Sequence, residues 1–146
     1  MSIRPRRSLL YMPGSNPRAL EKARSLPADG LILDMEDSVS PDAKQLAREQ
    51  IVAAIEEGGY GHRELLVRIN ALSTDWGLDD IKAICASRAA PDAVLIPKID
   101  TAADVRQRHL GHLPAVAARP RAPDPGHVIP VPGSVPARAQ MNGGKG

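Results

Sequence analysis

The chain has 146 residues, enough for one domain with a hydrophobic core, and its formal net charge is +2. It contains no Phe and only one Trp. Its single Cys excludes an intramolecular disulfide and a cysteine metal cluster. No signal core and no apolar run of membrane length is found, so we expect a soluble cytoplasmic protein without a membrane partner.

Short apolar runs alternate with segments of helical spacing along the first two thirds of the chain. Asn16-Pro17 and Ser40-Pro41 predict helix starts of the cap-then-proline type, and Gly58-Gly59 predicts a helix end. Thr74 or Asp75 is expected to cap a third helix, and Thr101 a fourth that continues to about Arg108. The predicted strands are residues 8–12, 30–34, 64–69 and 93–96.

This order is βαβαβαβα, with roughly 30 residues in each unit, which is typical of parallel strands with right-handed crossovers. Two architectures fit the order. One is a doubly wound open sheet, and the other is the N-terminal half of a TIM (β/α)8 barrel with about four βα units.

Charged and turn-forming residues follow each predicted strand, at the edge where α/β proteins bind ligands. The apolar run that begins at Leu31 ends in Asp34, Glu36 and Asp37, which indicate a cation site, a general acid/base site or a polar loop. Arg68 lies inside a strand and needs an anionic partner, either Asp34 or Glu36 or a bound carboxylate. The remaining strand ends carry Pro13-Gly14-Ser15, Asn70 and Lys98, and these are read either as site residues or as an ordinary turn and a solvated lysine.

The composition changes near residue 106. Residues 1–105 carry 13 Lys/Arg and 16 Asp/Glu, whereas residues 106–146 carry 6 Lys/Arg, one acid and half of the 14 prolines. We therefore divide the chain into a partial barrel, 1–105, and a basic Pro/Arg/Ala/Gly-rich tail, 106–146, that is expected to be disordered. The tail is either a natural flexible segment or the product of a slipped reading frame, and we favour the second. It has no aromatic platform for nucleic acid, so no nucleic-acid partner is expected.

Four ordered motifs resemble the citrate lyase beta-subunit family, also called the HpcH/HpaI aldolase family. The matching stretches are 6–16 (RRSLLYMPGSN), 31–39 (LILDMEDSV), 67–70 (VRIN) with 75–77 (DWG), and 95–98 (LIPK). The resemblance implies a (β/α)8 barrel that assembles into homo-oligomers. It also implies an Mg2+-dependent lyase that cleaves a C–C bond in 3-hydroxyacyl-CoA thioesters.

The resemblance also implies roles for individual residues. Arg68 would act in catalysis and grip the substrate carboxylate and carbonyl. Glu36 and Asp37 would act in catalysis by positioning the water shell of the metal, without binding it directly, or by shaping the site. The substrate-binding set would be Arg68 with Asn70, Lys98, Pro13, Gly14 and Ser15.

The chain departs from the family pattern where the direct metal ligands should stand. The family has a Glu after the fifth strand and an Asp after the sixth, and residues 106–146 offer only Asp124. We therefore expect the chain to be inactive or nearly so by itself. An alternative function is a non-catalytic half-barrel that associates with itself or with a full-length paralogue. A third is a small nucleotide- or phosphate-binding domain, for which Pro-Gly-Ser is a poor phosphate loop.

Overall fold

The computed structural model describes residues 6–104. Strands and helices alternate along this part of the chain, as the sequence predicts. The predicted disordered tail and the end of the predicted fourth helix lie outside the described residues. In chain order the elements are β1 (Leu9–Pro13), α1 (Pro17–Ala23), β2 (Gly30–Asp34), a 3-10 turn (Pro41–Ala43), α2 (Lys44–Glu57), β3 (Glu64–Arg68), α3 (Gly77–Ala86) and β4 (Ala93–Leu95).

The four strands form one parallel sheet in which each strand pairs with its neighbour in sequence, in the order β1-β2-β3-β4. A doubly wound sheet has a reversed strand order and helices on both faces. Sequential order with right-handed crossovers instead places all helices on one face, as in a (β/α)8 barrel. The doubly wound alternative is therefore wrong, and the α/β half-barrel arrangement is confirmed.

The hydrophobic core lies between this sheet and its helices. Leu33 of β2 and Val67 of β3 are paired in register and fully buried, and they belong to one cluster with Ile51 of α2 and Ile84 of α3. Successive side chains of a strand point to opposite faces. Tyr11, Ile32 and Leu66, which are also in register, therefore face the side of the sheet away from the helices.

Two helix faces differ from the sequence prediction. The helical spacing of apolar residues in the sequence predicts that Leu46 and Leu78 belong to the buried stripes of α2 and α3, but they are 48% and 57% exposed. Lys44 and Asp80 are buried on these helices instead, because both side chains find hydrogen-bond partners near the ends of β2 and β3. Polar partners inside the fold thus override the hydrophobic pattern.

The helix ends follow the predicted signals only in part. Asn16 caps α1 by accepting a hydrogen bond from the backbone N–H of Ala19. The predicted cap of α3 at Thr74 or Asp75 is wrong, because the helix begins at Gly77 with Trp76 at the cap position and no side-chain cap bond. Thr74 instead donates its hydroxyl proton to the carbonyl oxygen of Ala71.

Candidate functional site

The site is built at the carboxyl ends of β2, β3 and β4, which lie side by side in the parallel sheet. Asp34 ends β2, and its register partner Arg68 ends β3. Because β2 is buried along its whole length, the carboxylate of Asp34 has no exposure to solvent. A charge in this position requires partners within the protein.

Asp34 finds those partners in five hydrogen bonds. Arg68 donates from Nε to Oδ1 at 2.8 Å and from Nη2 to Oδ2 at 2.7 Å. Ser38 donates its hydroxyl and its backbone N–H, and Glu36 donates its backbone N–H. Burial by itself raises the pKa of Asp34, but these hydrogen bonds outweigh it and lower the pKa to about 2. Asp34 is thus an ionised anchor for Arg68 and for the turn that follows β2.

The guanidinium of Arg68 keeps one nitrogen for the rest of the site. Its Nη1 lies 3.0 Å from Glu36 Oε2 and 3.3 Å from Asp37 Oδ2. The guanidinium carbon lies 4.8 Å from the centroid of the Tyr11 ring, in the range of a cation–π contact. Hydrogen bonding to Asp34 raises the pKa of Arg68, so this side chain is a permanent positive charge.

Glu36 and Asp37 differ in their environment although they are adjacent in sequence. The side chain of Glu36 is 8% exposed, whereas that of Asp37 is 63% exposed. Oε2 of Glu36 is buried and makes no hydrogen bond, because its approach to Arg68 Nη1 has the distance of an ion pair without hydrogen-bond geometry. Glu36 therefore offers a buried acceptor oxygen beside the arginine.

Lys98 completes the cluster from the segment after β4. Its Nζ lies 3.4 Å from Glu36 Oε1 and 3.6 Å from Asp37 Oδ1, and hydrogen bonding to Glu36 raises the pKa of Lys98. The backbone of Lys98 has a φ of 54°, a left-handed conformation that is uncommon for residues other than glycine. The sequence-predicted residues Glu36, Asp37, Arg68 and Lys98 are thus brought together at one rim.

Asn70 lies near this rim, but its side-chain NH2 group is directed elsewhere. Asn70 is 2% exposed, and its backbone N–H and its Nδ2 both donate to Oδ2 of Asp80, at 2.8 and 2.7 Å. Oδ1 of Asp80 accepts a hydrogen bond from Arg48 of α2 at 2.8 Å. This side chain therefore ties the end of β3 to α2 and α3, and its role in substrate binding stays a prediction.

The Pro13-Gly14-Ser15 turn packs directly against the end of β2. The backbone N–H of Gly14 donates to the carbonyl oxygen of Asp34 at 2.9 Å. A Cβ at position 14 would lie 2.5 Å from Cδ1 of Ile51 and 2.8 Å from that same carbonyl oxygen. Glycine is required at position 14 because the backbone and Ile51 approach so closely, and the role of the turn in substrate binding stays a prediction.

No group of three or more His, Cys, Asp or Glu side chains within residues 6–104 is arranged to hold a metal ion. Asp34 has its oxygens occupied by Arg68, Ser38 and Glu36, and Glu36 and Asp37 are both paired with Arg68 and Lys98. The donor set of the described residues therefore does not fit direct coordination of Mg2+. The predicted contact of Glu36 and Asp37 with the water shell of a metal stays a prediction.

Two contributors to the site were not predicted from the sequence. The Tyr11 ring lies over Arg68, and Lys44 reaches the turn after β2. Strand parity combined with the register would have placed Tyr11 on the same face as Arg68.

A separate groove of about 390 Å³ lies between α2 and α3 and contains none of the rim residues. No helix among residues 6–104 has the length and apolar character needed to cross a membrane.

Comparison with known proteins gives a consistent result. The HpcH/HpaI aldolase/citrate lyase family profile matches residues 7–110. The chain is 50% identical over 101 residues to a (3S)-malyl-CoA thioesterase of Cereibacter sphaeroides, covering 69% of this chain and 35% of that protein. It is 41% identical over 102 residues to citrate lyase subunit beta of Escherichia coli, covering 70% and 33%.

A solved structure shows the same fold. It is CitE of Mycobacterium tuberculosis in complex with magnesium, acetoacetate and coenzyme A, with a TM-score of 0.52 and 29% identity, covering 69% of this chain and 36% of that one. The chain thus spans about a third of the length of these relatives.

Proposed function

Because the chain belongs to the HpcH/HpaI aldolase/citrate lyase family, we propose that its rim binds the acyl group of a 3-hydroxyacyl-CoA thioester for Mg2+-dependent cleavage of a C–C bond. The observation that carries this proposal is the way in which Arg68 is held by hydrogen bonds while it keeps its positive charge. Asp34 holds Nε and Nη2, while Nη1 lies between the carboxylates of Glu36 and of the exposed Asp37. A fixed positive charge at the carboxyl edge of a parallel sheet suits an anionic substrate.

The chemistry requires stabilisation of negative charge. In the cleavage, the 3-hydroxyl group loses its proton and the bond between C2 and C3 breaks. The electron pair passes to the enolate of the acyl-CoA product, which then takes up a proton at C2. Positive groups that are already in place near the developing charge lower the barrier without reorganisation.

Each residue at the rim would have a role that follows from its position. Arg68 would contact a carboxylate or carbonyl oxygen through Nη1, since Asp34 occupies Nε and one N–H group of Nη2. Lys98 adds a second positive charge from the segment after β4, and the Pro13-Gly14-Ser15 turn limits the space beside Asp34. An Mg2+ ion, when bound, would supply further charge stabilisation. Its direct ligands would come from outside residues 6–104, with Glu36 and Asp37 in contact with its water.

Since the described residues lack a direct ligand set, we expect the chain alone to bind the thioester and to turn it over slowly or not at all. Calorimetric titration with malyl-CoA and citryl-CoA tests the binding. Arg68→Ala should weaken it at least tenfold, which is about 1.4 kcal/mol. The matched control is Arg18→Ala, which removes an exposed arginine of α1. Equal affinity in the wild type and Arg68→Ala would reject the proposal.

Thioester hydrolysis is a second candidate, favoured by the 50% identity to a protein named (3S)-malyl-CoA thioesterase. In that reaction water attacks the thioester carbonyl, the C–S bond breaks, and malate and free CoA result. Product analysis separates the two reactions. Cleavage of malyl-CoA yields acetyl-CoA and glyoxylate, whereas hydrolysis yields a free thiol that a disulfide reagent detects.

An association role is favoured by a different observation. Leu9, Leu10 and Tyr11 of the edge strand β1 are 41%, 38% and 51% exposed, and an unpaired strand edge is a template for pairing with another chain. We propose that the half-barrel assembles into homo-oligomers or with a full-length paralogue. Size-exclusion chromatography with light scattering tests this, and a stable monomer at all concentrations would contradict it.

A further inference from the structure

Lys44 is a buried ammonium group in an environment that disfavours it. The residue is 6% exposed and is the first of α2, near the helix end where a positive charge is unfavourable. Among residues 6–104 it forms no ion pair with Asp or Glu, although buried lysines are rare without one. Burial lowers the pKa of Lys44, against the opposing influence of Asp34 and Asp80. Some other interaction must compensate for this placement.

The compensation comes from two peptide carbonyl groups. Nζ of Lys44 donates to the carbonyl oxygen of Met35 at 2.9 Å and to that of Glu36 at 2.7 Å. It also lies 5.5 Å from the centroid of the Trp76 ring. The two carbonyl groups belong to the chain as it leaves β2, and one of them is in the residue that carries the buried carboxylate of the rim.

The turn after β2 is therefore held from two sides. Asp34 binds the backbone N–H groups of Glu36 and Ser38, while Lys44 binds the carbonyl oxygens. The carboxylate of Glu36 is held by two ion pairs, with Oε2 3.0 Å from Nη1 of Arg68 and Oε1 3.4 Å from the exposed Lys98. Its buried Oε2 makes no hydrogen bond that would fix its direction. The backbone of Glu36 therefore sets the direction from which this carboxylate approaches Arg68.

We propose that Lys44 is a positioning residue, whose ammonium group fixes the peptide carbonyls of Met35 and Glu36 and thereby holds the Glu36 carboxylate against Nη1 of Arg68. For its catalytic consequence, this inference rests on the function proposed above. Its structural content does not, because the arrangement of the turn can be measured without turnover.

Three variants separate positioning from packing. Lys44→Met keeps the aliphatic volume and removes the donors, and Lys44→Arg keeps donors while changing the shape. Lys82→Met is the matched control, since Lys82 lies on α3 with a side chain that is 74% exposed. Hydrogen exchange by mass spectrometry should show exchange of the 35–39 amides about tenfold faster in Lys44→Met, with β3 and α3 unchanged. Lys44→Arg should restore slow exchange, and Lys82→Met should match the wild type.

A spectroscopic readout tests the link to Arg68 directly. In 1H–15N spectra of arginine side chains, identified by the signal missing from Arg68→Lys, the guanidinium resonance of Arg68 should shift in Lys44→Met but not in Lys82→Met. Unchanged exchange at 35–39, or acceleration spread equally over the whole sheet, would overturn the inference. So would an unchanged Arg68 resonance.

If the wild-type chain converts malyl-CoA, the kinetics of the variants provide a further test. There Lys44→Met should lower kcat by roughly 10- to 100-fold, as for residues that orient a metal's surroundings, with KM altered less than about threefold. A change confined to KM would count against positioning. If the wild type neither binds nor converts the thioester, the proposed function fails, and the exchange and resonance results still decide the role of Lys44.

Discussion

Asp34 and Arg68 form a two-point ion pair across neighbouring parallel strands, with Nε–Oδ1 and Nη2–Oδ2 distances of 2.8 and 2.7 Å. The carboxylate is fully buried, and the guanidinium side chain is 16% exposed. The two nitrogens on one side of the guanidinium, Nε and Nη2, both bind Asp34. The third nitrogen, Nη1, lies against Glu36 and Asp37 at the rim.

Replacing Asp34 by Asn should destabilise the fold strongly. The amide cannot accept two charge-assisted hydrogen bonds, and Arg68 is left without its main counter-charge. We expect a loss of about 3–5 kcal/mol in the free energy of unfolding, measured by urea titration. Asp79→Asn, which alters an exposed pair with Lys82, should leave the urea midpoint unchanged. An equal loss in both variants would show that burial of the pair is not the cause.

Acid should destabilise the protein through the same carboxylate. The ordinary pKa of Asp34 is 3.8 and its folded pKa is about 2, so the folded state binds fewer protons between these values. The stabilisation is present above about pH 4 and is lost as the pH falls towards 2, by on the order of 2 kcal/mol.

Urea titrations at a series of pH values measure this slope. Asp29 and Glu56, held by Arg7 and Arg88, also have pKa values lowered to about 2 and contribute in the same window. The difference between the wild type and Asp34→Asn gives the contribution of Asp34 to the pH dependence of the free energy of unfolding. Parallel curves for the two proteins would contradict the assignment.

Gly14→Ala should strain the turn beside Asp34. The new methyl group would meet Cδ1 of Ile51 at 2.5 Å and the carbonyl oxygen of Asp34 at 2.8 Å. We expect a loss of about 1–3 kcal/mol in the free energy of unfolding. The double variant Gly14→Ala/Ile51→Val, which removes Cδ1, should lose less than the sum of the two single variants. Strict additivity would show that the clash with Ile51 is not responsible.

Tyr11→Leu should weaken the support of Arg68 while keeping an apolar side chain. The guanidinium lies 4.8 Å from the ring centroid, and Tyr11 is 51% exposed, so we expect a loss of about 0.5–1 kcal/mol in stability. Tyr11→Phe keeps the ring face and should behave as the wild type. Thermal unfolding of the three proteins measures the effect, and equal losses in both variants would implicate the hydroxyl group instead.

The strands could be predicted from sequence because each is an apolar run bounded by proline, glycine or charge. The predicted second strand, 30–34, coincides with β2, and the predicted third strand starts at the same residue as β3. The pairing of Arg68 with Asp34 or Glu36 was one of the two alternatives that the sequence left open, and the structure contains both contacts. Strand-end chemistry is local and is therefore visible in sequence.

Features that depend on three-dimensional neighbours were not predictable in this way. The exposure of Leu46 and the burial of Lys44, two residues away on the same helix, follow from where the carbonyl groups after β2 lie. The direction of the Asn70 side chain depends on Asp80 of α3. Hydrophobic periodicity contains no information about such polar partners.

The sequential strand order has a consequence for biosynthesis. Every hydrogen-bonded ladder in the sheet joins a strand to the one made just before it, through a single intervening helix. Each βα unit can dock on the preceding one as soon as it leaves the ribosome, so loop closure never has to wait for a distant segment. Growth of the sheet from the N-terminus keeps one unpaired edge at the newest strand, where the next unit synthesised would add.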